Sequence, residues 1–317
     1  LVQSLYTASI CYIDNWTEGL SIYMKSKYAI FDQRTASEDI AGKKYDLLIF
    51  NNSLPKRKLL HKSIYLPWEP DLILSPPKKH TTKRLHKIFT WNHSLANAND
   101  KYEKMFFPEY HGLHKSFKPF PERKFGCIIN SHHNNYIGRK NELYSERKKI
   151  AYFYDKHYPY LLSLFGKTGW KMMNLSVYKG AISSKNTKSP KEYWDIKGPV
   201  LRDHKFCYCY ENNLNDQHYI SEKILHCIRH RCVPIYLGCN NITDYIPKDV
   251  FIDAREFSSI EDIHAFIENI DEEKWNKYIQ AMEKFDKSDN ARLFTPEYLC
   301  KRLEKIIDTY LKDKNIN

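Results

Sequence analysis

The chain has 317 residues, 42% of them apolar, which is enough for a buried core and excludes a disordered or low-complexity polypeptide. Lys and Arg outnumber Asp and Glu by 50 to 38, a formal net charge of +12. That balance suits an anionic small molecule, an anionic membrane surface or nucleic acid. No long Lys/Arg block, zinc-finger spacing or RNP-type pattern occurs, so nucleic acid is not an expected partner.

In chain order, residues 1–13 predict a first strand, and Asn15-Trp16-Thr17-Glu18-Gly19 a turn whose Trp16 either packs or offers a face to a sugar. Residues 28–31, 45–50 (YDLLIF) and 62–66 predict strands that alternate with weak helical stretches, an α/β pattern. Glu69 stands between Pro67 and Pro70 just beyond a strand. Both prolines restrict the backbone, and a stiffly held carboxylate suits a general base; the plainer alternative is a loop carboxylate in water. Residues 88–91 predict another strand. Residues 112–122, with Pro119 and Pro121, read as an interdomain linker.

Residues 124–130 (KFGCIIN) predict the strand that opens a second domain, with a polar loop, 131–140, at its carboxyl end. His132 and His133 have no third spaced ligand, so the loop is not read as a metal site. Residues 143–158 predict an amphipathic helix with Leu143, Arg147, Ile150, Tyr154 and His157 near one stripe. Arg147 interrupts that stripe, which implies an ion pair, a phosphate, or a packed stem with its head in water; Arg139, in the loop, is the rival cation. Residues 162–170 predict a strand and glycine turn, and residues 179–191 a Lys/Ser-rich surface loop.

Residues 206–238 then spell strand, polar loop, helix, strand. Phe206-Cys207-Tyr208-Cys209-Tyr210 is a short apolar and aromatic run that ends in polar Glu211-Asn212-Asn213. Ser221 is a good N-cap, with Glu222 and Lys223 in the first turn of a helix whose apolar face is Ile224, Leu225 and Ile228. Residues 232–237 form the second strand, ended by Gly238. Ligands of open parallel sheets sit beyond the carboxyl ends of strands, and helix N-termini favour anions. There Glu222 can accept from sugar hydroxyls and Lys223 can neutralise a phosphate. Taken alone, Ser-Glu-Lys is equally an ordinary helix cap with surface charge.

Beyond this unit, residues 250–252 predict a last strand, and Ser259 with Asp262 a capped helix start. Two apolar stripes follow, Ile260, Ile263, Phe266, Ile267 and Ile270, then Trp275, Tyr278, Ile279, Met282 and Phe285; a last helix covers residues 296–311. The eight cysteines show no CxxC or Cys/His metal spacing and read as small core residues, which favours a reducing compartment. Asn-x-Ser/Thr triplets at Asn15, Asn51, Asn92, Asn174 and Asn241 are expected by chance in an Asn-rich chain. No apolar run is long enough to span a bilayer, and no signal-peptide pattern opens the sequence.

The ordered set Tyr210-Glu211-Asn212, Tyr219-Ile220-Ser221-Glu222-Lys223-Ile224, Val233-Pro234-Ile235 and Gly238 resembles the donor-site motif of the α1,3/α1,4-fucosyltransferase family, glycosyltransferase family 10. Asn213 stands where Ser is common, Ser221 where Thr is common, and His230-Arg231 replace smaller residues. The resemblance is dense from about residue 125 to 257 and thin before residue 62. It implies an α/β protein of GT-B type, two Rossmann-like domains facing a cleft: residues 1–118 on the acceptor side, 119–290 binding GDP-fucose, and 291–317 a helix crossing back to the first domain. It implies an inverting transfer of L-fucose from GDP-fucose to a glycan hydroxyl, O3 of GlcNAc or Glc. Glu69 resembles the general base of the family's Glu-Ser-Pro segment, in a looser match because Pro70 follows it directly. Arg147 resembles the family's diphosphate-binding arginine and joins Lys223 in stabilising the GDP leaving group. Glu211, Asn212, Tyr219, Ser221 and Glu222 line the donor.

No tightly bound cofactor and no divalent metal at the site are expected. The expected partners are GDP-fucose and a glycan acceptor, with peripheral membrane contact through the basic surface. The expected location is cytoplasmic or peripheral to a membrane, or the Golgi lumen if an N-terminal anchor precedes Leu1. The alternatives are a GT-B transferase for another sugar nucleotide, a catalytically silent glycan-binding protein, and a basic nucleic-acid-binding protein.

Overall fold

The computed structural model describes residues 9–13, 29–32, 46–52, 54, 57–167, 169–182, 196–215 and 218–314. The expected Trp16 turn and most of the expected 179–191 loop lie outside them. The described helices of eight or more residues are α1 (Tyr144–His157), α2 (Glu222–Arg229), α3 (Ile260–Glu268), α4 (Glu272–Asp286) and α5 (Pro296–Asp313). The chain divides into two compact units, one of Leu1–Pro108 with Leu293–Asn317, the other of Glu109–Arg292.

The first unit holds a six-stranded sheet of β1 (Ser9–Ile13), β2 (Ala29–Asp32), β3 (Leu47–Asn51), β4 (Ser63–Leu66), β5 (Lys87–Thr90) and β6 (Tyr102–Lys104), in the order β2-β1-β3-β4-β5-β6. Every pairing is parallel. The unbroken apolar run of β3 reflects a strand covered on both faces: Leu47 and Leu48 have no exposure, nor has Ile64 of β4. Helix α5 is part of this unit. Thr295 caps it by accepting from the Tyr298 amide (3.3 Å), and Pro296 takes a first-turn position where its missing N–H costs nothing. Its inner face, Leu299, Cys300, Leu303, Ile306, Ile307 and Tyr310, is buried. Arg302 adds an ion pair with Glu103 and a bond to the Lys104 carbonyl (2.6 Å).

The second unit holds β7 (Lys124–Ile129), β8 (Leu162–Phe165), β9 (Tyr178–Gly180), β10 (His204–Asn215), β11 (Val233–Cys239) and β12 (Ile252–Asp253), in the order β12-β11-β10-β7-β8-β9. Again all pairings are parallel. Counted within the unit this is the doubly wound order 3-2-1-4-5-6 of dinucleotide-binding sheets, and the direction of winding reverses between β7 and β10.

Four sequence expectations change here. β10 does not stop at Tyr210 but runs to Asn215, because its polar end finds partners in the loop before α1. The Leu143 amide donates to the Asn212 carbonyl (3.0 Å), the Leu214 amide donates to the Asn141 carbonyl (2.8 Å), and Glu142 bridges Asn213. β11 continues through Gly238 to Cys239. β12 begins at Ile252, since residues 248–250 form a 3-10 turn. In α3, Ile263 and Ile267 are buried but Phe266 is 43% exposed, so the apolar stripe is narrower than its spacing suggests. Residues 112–122 are bonded to the second unit. Asp286 accepts from the Leu113 amide (3.1 Å), Arg231 donates to the His114 carbonyl (2.9 Å), and buried Arg123 donates to the Lys118 carbonyl (2.7 Å). Arg123 also serves the His204 and Arg231 carbonyls (3.0 and 2.9 Å). The seven cysteines from Cys127 to Cys300 are buried and free.

Candidate active site

The winding of the second sheet reverses beside the carboxyl ends of β7 and β10, where open α/β sheets place their ligands. Three local features bring charge to this point. Against β11, the register of β10 slips after Tyr210: Tyr210 faces Leu237, yet Asn215 faces Cys239. The surplus residues bulge, and Glu211 turns into the protein with no exposure. Gly238 makes room for it. A Cβ on residue 238 would lie 2.4 Å from Glu211 Cγ and 2.8 Å from its Cβ, so only glycine fits. Finally, Ser221 caps α2 with its side chain, which sets Lys223 in the first turn beside Glu211.

The resulting bonds form a closed set. Glu211 Oε1 accepts from the Ser221 amide (2.8 Å), and Oε2 accepts from Ser221 Oγ (2.7 Å) and Lys223 Nζ (3.1 Å). Lys223 Nζ also donates to Ser221 Oγ (3.0 Å). Burial alone would lower the Lys223 pKa, but Glu211 and Glu222 outweigh it and raise the pKa above the usual lysine value. Glu222 is the mirror case. Burial pushes its pKa up, while Lys223, Lys197 and His226 outweigh burial and hold it below the usual carboxylate range. Lys197 donates to Glu222 Oε1 at 3.1 Å.

Arg147 reaches the same place from α1. It is 2% exposed, its Nη2 donates to the Tyr210 carbonyl (2.7 Å) and Asn212 Oδ1 (3.0 Å), and its guanidinium lies 4.7 Å from the Tyr144 ring. Burial lowers its pKa while Tyr144 and Glu211 raise it; a guanidinium stays charged regardless.

Two donors in this cluster are unspent. An ammonium has three N–H groups, and Lys223 uses two of them on Glu211 and Ser221. Arg147 Nε is buried with no partner among the described residues. Buried donors are normally paired, so the unpaired Arg147 Nε, with the partly exposed Lys223 ammonium nearby, suits an anion.

The sequence-predicted residues therefore separate by environment. Lys223 and Arg147 converge on Glu211. Glu222 and Asn212 are partly accessible. Glu211 and Tyr219 are 0% and 2% exposed and serve the protein: the Tyr219 amide donates to Asn215 Oδ1 (3.0 Å). Ser221 is likewise fully buried. Arg139 is exposed, 4.9 Å from the Tyr136 ring. Glu69 belongs to the first unit and follows β4. Its loop is held by the Trp68 amide donating to Asn52 Oδ1 (2.8 Å), while the Pro70 carbonyl accepts from the Ile73 and Leu74 amides. Sequence reasoning missed Lys197, His226 and Glu109. His226 pairs with Glu109 at 3.1 Å, and neither belongs to a local pattern that would have marked it. Among the described residues, no group of three or more His, Cys, Asp or Glu side chains is placed to hold a metal ion.

Residues 167–317 match the family described as glycosyltransferase family 10 (fucosyltransferase), C-terminal. Glu211, Ser221, Glu222 and Lys223 fall inside that match; Glu69 and Arg147 precede it. An alpha-(1,4)-fucosyltransferase of Arabidopsis thaliana is 26% identical over 96 residues, 30% of this chain and 23% of the relative. The chain thus matches less than a quarter of that relative's length. In fold, the chain is similar to an alpha1,3-fucosyltransferase solved with GDP, with a TM-score of 0.62 and 13% identity over 100% of this chain and 93% of the other. It is also similar to an alpha-glucosyltransferase solved with UDP and a 13-mer DNA, with a TM-score of 0.57 and 13% identity over 95% and 99% of the two chains. The fold is GT-B, and residues 167–317 are similar to the C-terminal domain of glycosyltransferase family 10, the fucosyltransferases.

Proposed function

We propose that the protein transfers L-fucose from GDP-fucose to a glycan hydroxyl, O3 of GlcNAc or Glc, with inversion. The observation that carries this reading is the pair of cations with unspent donors, buried Arg147 and partly exposed Lys223, at the switch point of a family 10 domain. As the bond from the fucose anomeric carbon to the β-phosphate oxygen breaks, negative charge grows on the departing GDP. Preorganised donors aimed at developing charge are a large source of rate enhancement. Glu211 holds Lys223 in place and keeps it protonated. Glu222 and Asn212, the accessible polar groups, orient the sugar hydroxyls for in-line attack. Glu69 takes the proton from the acceptor hydroxyl as its oxygen bonds to the anomeric carbon.

Side-chain cations meet the diphosphate charge, so transfer is expected to need no divalent metal at this site. The test is mass-spectrometric detection of fucosylated product from GDP-fucose and a panel of GlcNAc- and Glc-terminated acceptors, with UDP-glucose as competing donor. Fucosyl transfer that survives EDTA and falls at least a hundredfold in Glu69→Gln supports the reading. Transfer from UDP-glucose alone would replace the donor assignment.

A further inference from the structure

Glu222 and Lys223 are neighbours in the chain, yet their side chains are bonded apart. Lys223 Nζ donates to Glu211 Oε2 and Ser221 Oγ (3.1 and 3.0 Å). Glu222 Oε1 accepts instead from Lys197 Nζ at 3.1 Å, its one hydrogen bond to a side chain among the described residues. Successive residues on a helix do not face each other, so the start of α2 turns its two charges toward different partners.

Lys197 reaches this carboxylate from outside α2. It leads into a short helix, Gly198–Arg202, whose Gly198 and Leu201 are buried, and its carbonyl accepts from the Leu201 amide (3.0 Å). The backbone beneath the ammonium is thereby anchored. His226 lies one turn beyond Glu222 on the same face of α2. Its Nε2 is 3.1 Å from Glu109 Oε2, so it is committed to another carboxylate. Lys197, Lys223 and His226 border one cavity, with Asn130 and Cys227. Burial raises the Glu222 pKa, and Lys223, Lys197 and His226 outweigh it. Of the three, Lys197 alone is bonded to the carboxylate.

Released from Lys197, Glu222 would lie beside an ammonium with one N–H unspent. A Glu222–Lys223 bond would take the donor that an incoming anion needs and set two carboxylates on one ammonium. The Lys197–Glu222 pair is partly exposed, 28% and 20% for the two side chains. Ion pairs in contact with water contribute little to stability, whereas a charge-assisted hydrogen bond still fixes geometry. The pair is therefore better suited to aiming a carboxylate than to holding the fold together.

We propose that Lys197 is a positioning residue of the donor site: it holds Glu222 away from Lys223, so that Glu222 meets the donor hydroxyls and the third N–H of Lys223 stays open for the diphosphate. The assignment rests on the donor reading of Lys223 and Glu222 and adds a residue that acts through Glu222. Removing the Lys197 charge frees Glu222 to bond Lys223, and nucleotide affinity falls although Lys197 itself touches no nucleotide.

The experiment is calorimetric titration of the full chain with GDP and with GDP-fucose. It compares wild type, two neutral variants, Lys197→Met and Lys197→Gln, the conservative Lys197→Arg, and each neutral change repeated on a Glu222→Gln background. The expected result is affinity for both nucleotides at least tenfold weaker in the neutral variants, with the urea midpoint close to that of the wild type. Lys197→Arg is expected to restore affinity to within about threefold, and the neutral changes to add no further loss on the Glu222→Gln background, because contacts that act through one another are not additive. Unchanged affinity in the neutral variants overturns the proposal. So does a loss of the same size on the Glu222→Gln background, which would show that Lys197 acts independently of Glu222. In both cases nucleotide binding to the wild type leaves the donor reading standing. A well-folded wild type that binds neither nucleotide rejects the donor reading and the proposal with it.

Discussion

At Glu211 a carboxylate with no exposure accepts from Ser221 and Lys223. Breaking a buried charge pair from one side strands the other charge, at a cost of about 3–5 kcal/mol. Glu211→Gln keeps the shape and loses the charge, leaving Lys223 beside Arg147 with Glu222 as its remaining carboxylate. The expected outcome is a loss of stability of that order in urea denaturation, together with weaker GDP binding. Gly238→Ala tests the same residue sterically. The new methyl would overlap Glu211 Cγ, so GDP affinity is expected to fall at least tenfold in calorimetry. A variant that binds GDP normally would show that Glu211 does not set the position of Lys223. None of this was legible in the sequence, where a carboxylate in a polar run reads as exposed; its burial comes from a register slip between β10 and β11 that no local pattern encodes.

Helix α2 was far more legible, because its signals are local. Ser221 before a Glu-Lys pair and the Ile224, Leu225, Ile228 stripe are short-range patterns, and the structure places a capped helix there with those residues buried. Ser221→Ala is expected to cost about 1 kcal/mol as a lost cap. It also removes one of the two bonds that hold Lys223, so GDP binding should weaken more than stability does. Ser221→Thr, which keeps the hydroxyl, should restore both in parallel denaturation and binding measurements.

The charges flanking the start of α2 also set a pH window. Glu222 has a lowered pKa, so its stabilising contribution is complete above the ordinary carboxylate pKa and is lost as pH falls through the lowered value. Lys223 has a raised pKa, so its contribution is complete below the ordinary lysine pKa and is lost as pH rises through the raised value. Between about pH 5 and 10 both stay charged. Over that window the stability difference between wild type and Lys223→Met is expected to be flat in chemical denaturation. The end of β10 was less legible than α2 because its partners, residues 141–143, lie some seventy positions away in sequence.

Across the molecule, the α/β pattern and several strands of both sheets were legible, since parallel strands covered on both faces announce themselves by composition, whereas the strand order of each sheet was not. The terminal helix is a tertiary matter. Residues 293–317 belong to the first unit although the second separates them from it in sequence. The buried face of α5 includes Leu299, Leu303, Ile306 and Ile307, and burying an aliphatic side chain of this kind stabilises by roughly 1.5–3 kcal/mol. Four of them approach the roughly 5–15 kcal/mol of a whole domain. Deleting residues 293–317 is therefore expected to unfold the first unit, seen as loss of its cooperative transition in calorimetry. A truncated chain that melts as the full one does would contradict this.

The most direct test of the central claim is isothermal titration of GDP into wild type and Lys223→Met. GDP binding to the wild type that weakens at least a hundredfold in the variant, with the fold intact by circular dichroism, places the diphosphate at Lys223 and Arg147. Equal binding to both proteins, or no binding to well-folded wild type, would contradict the account.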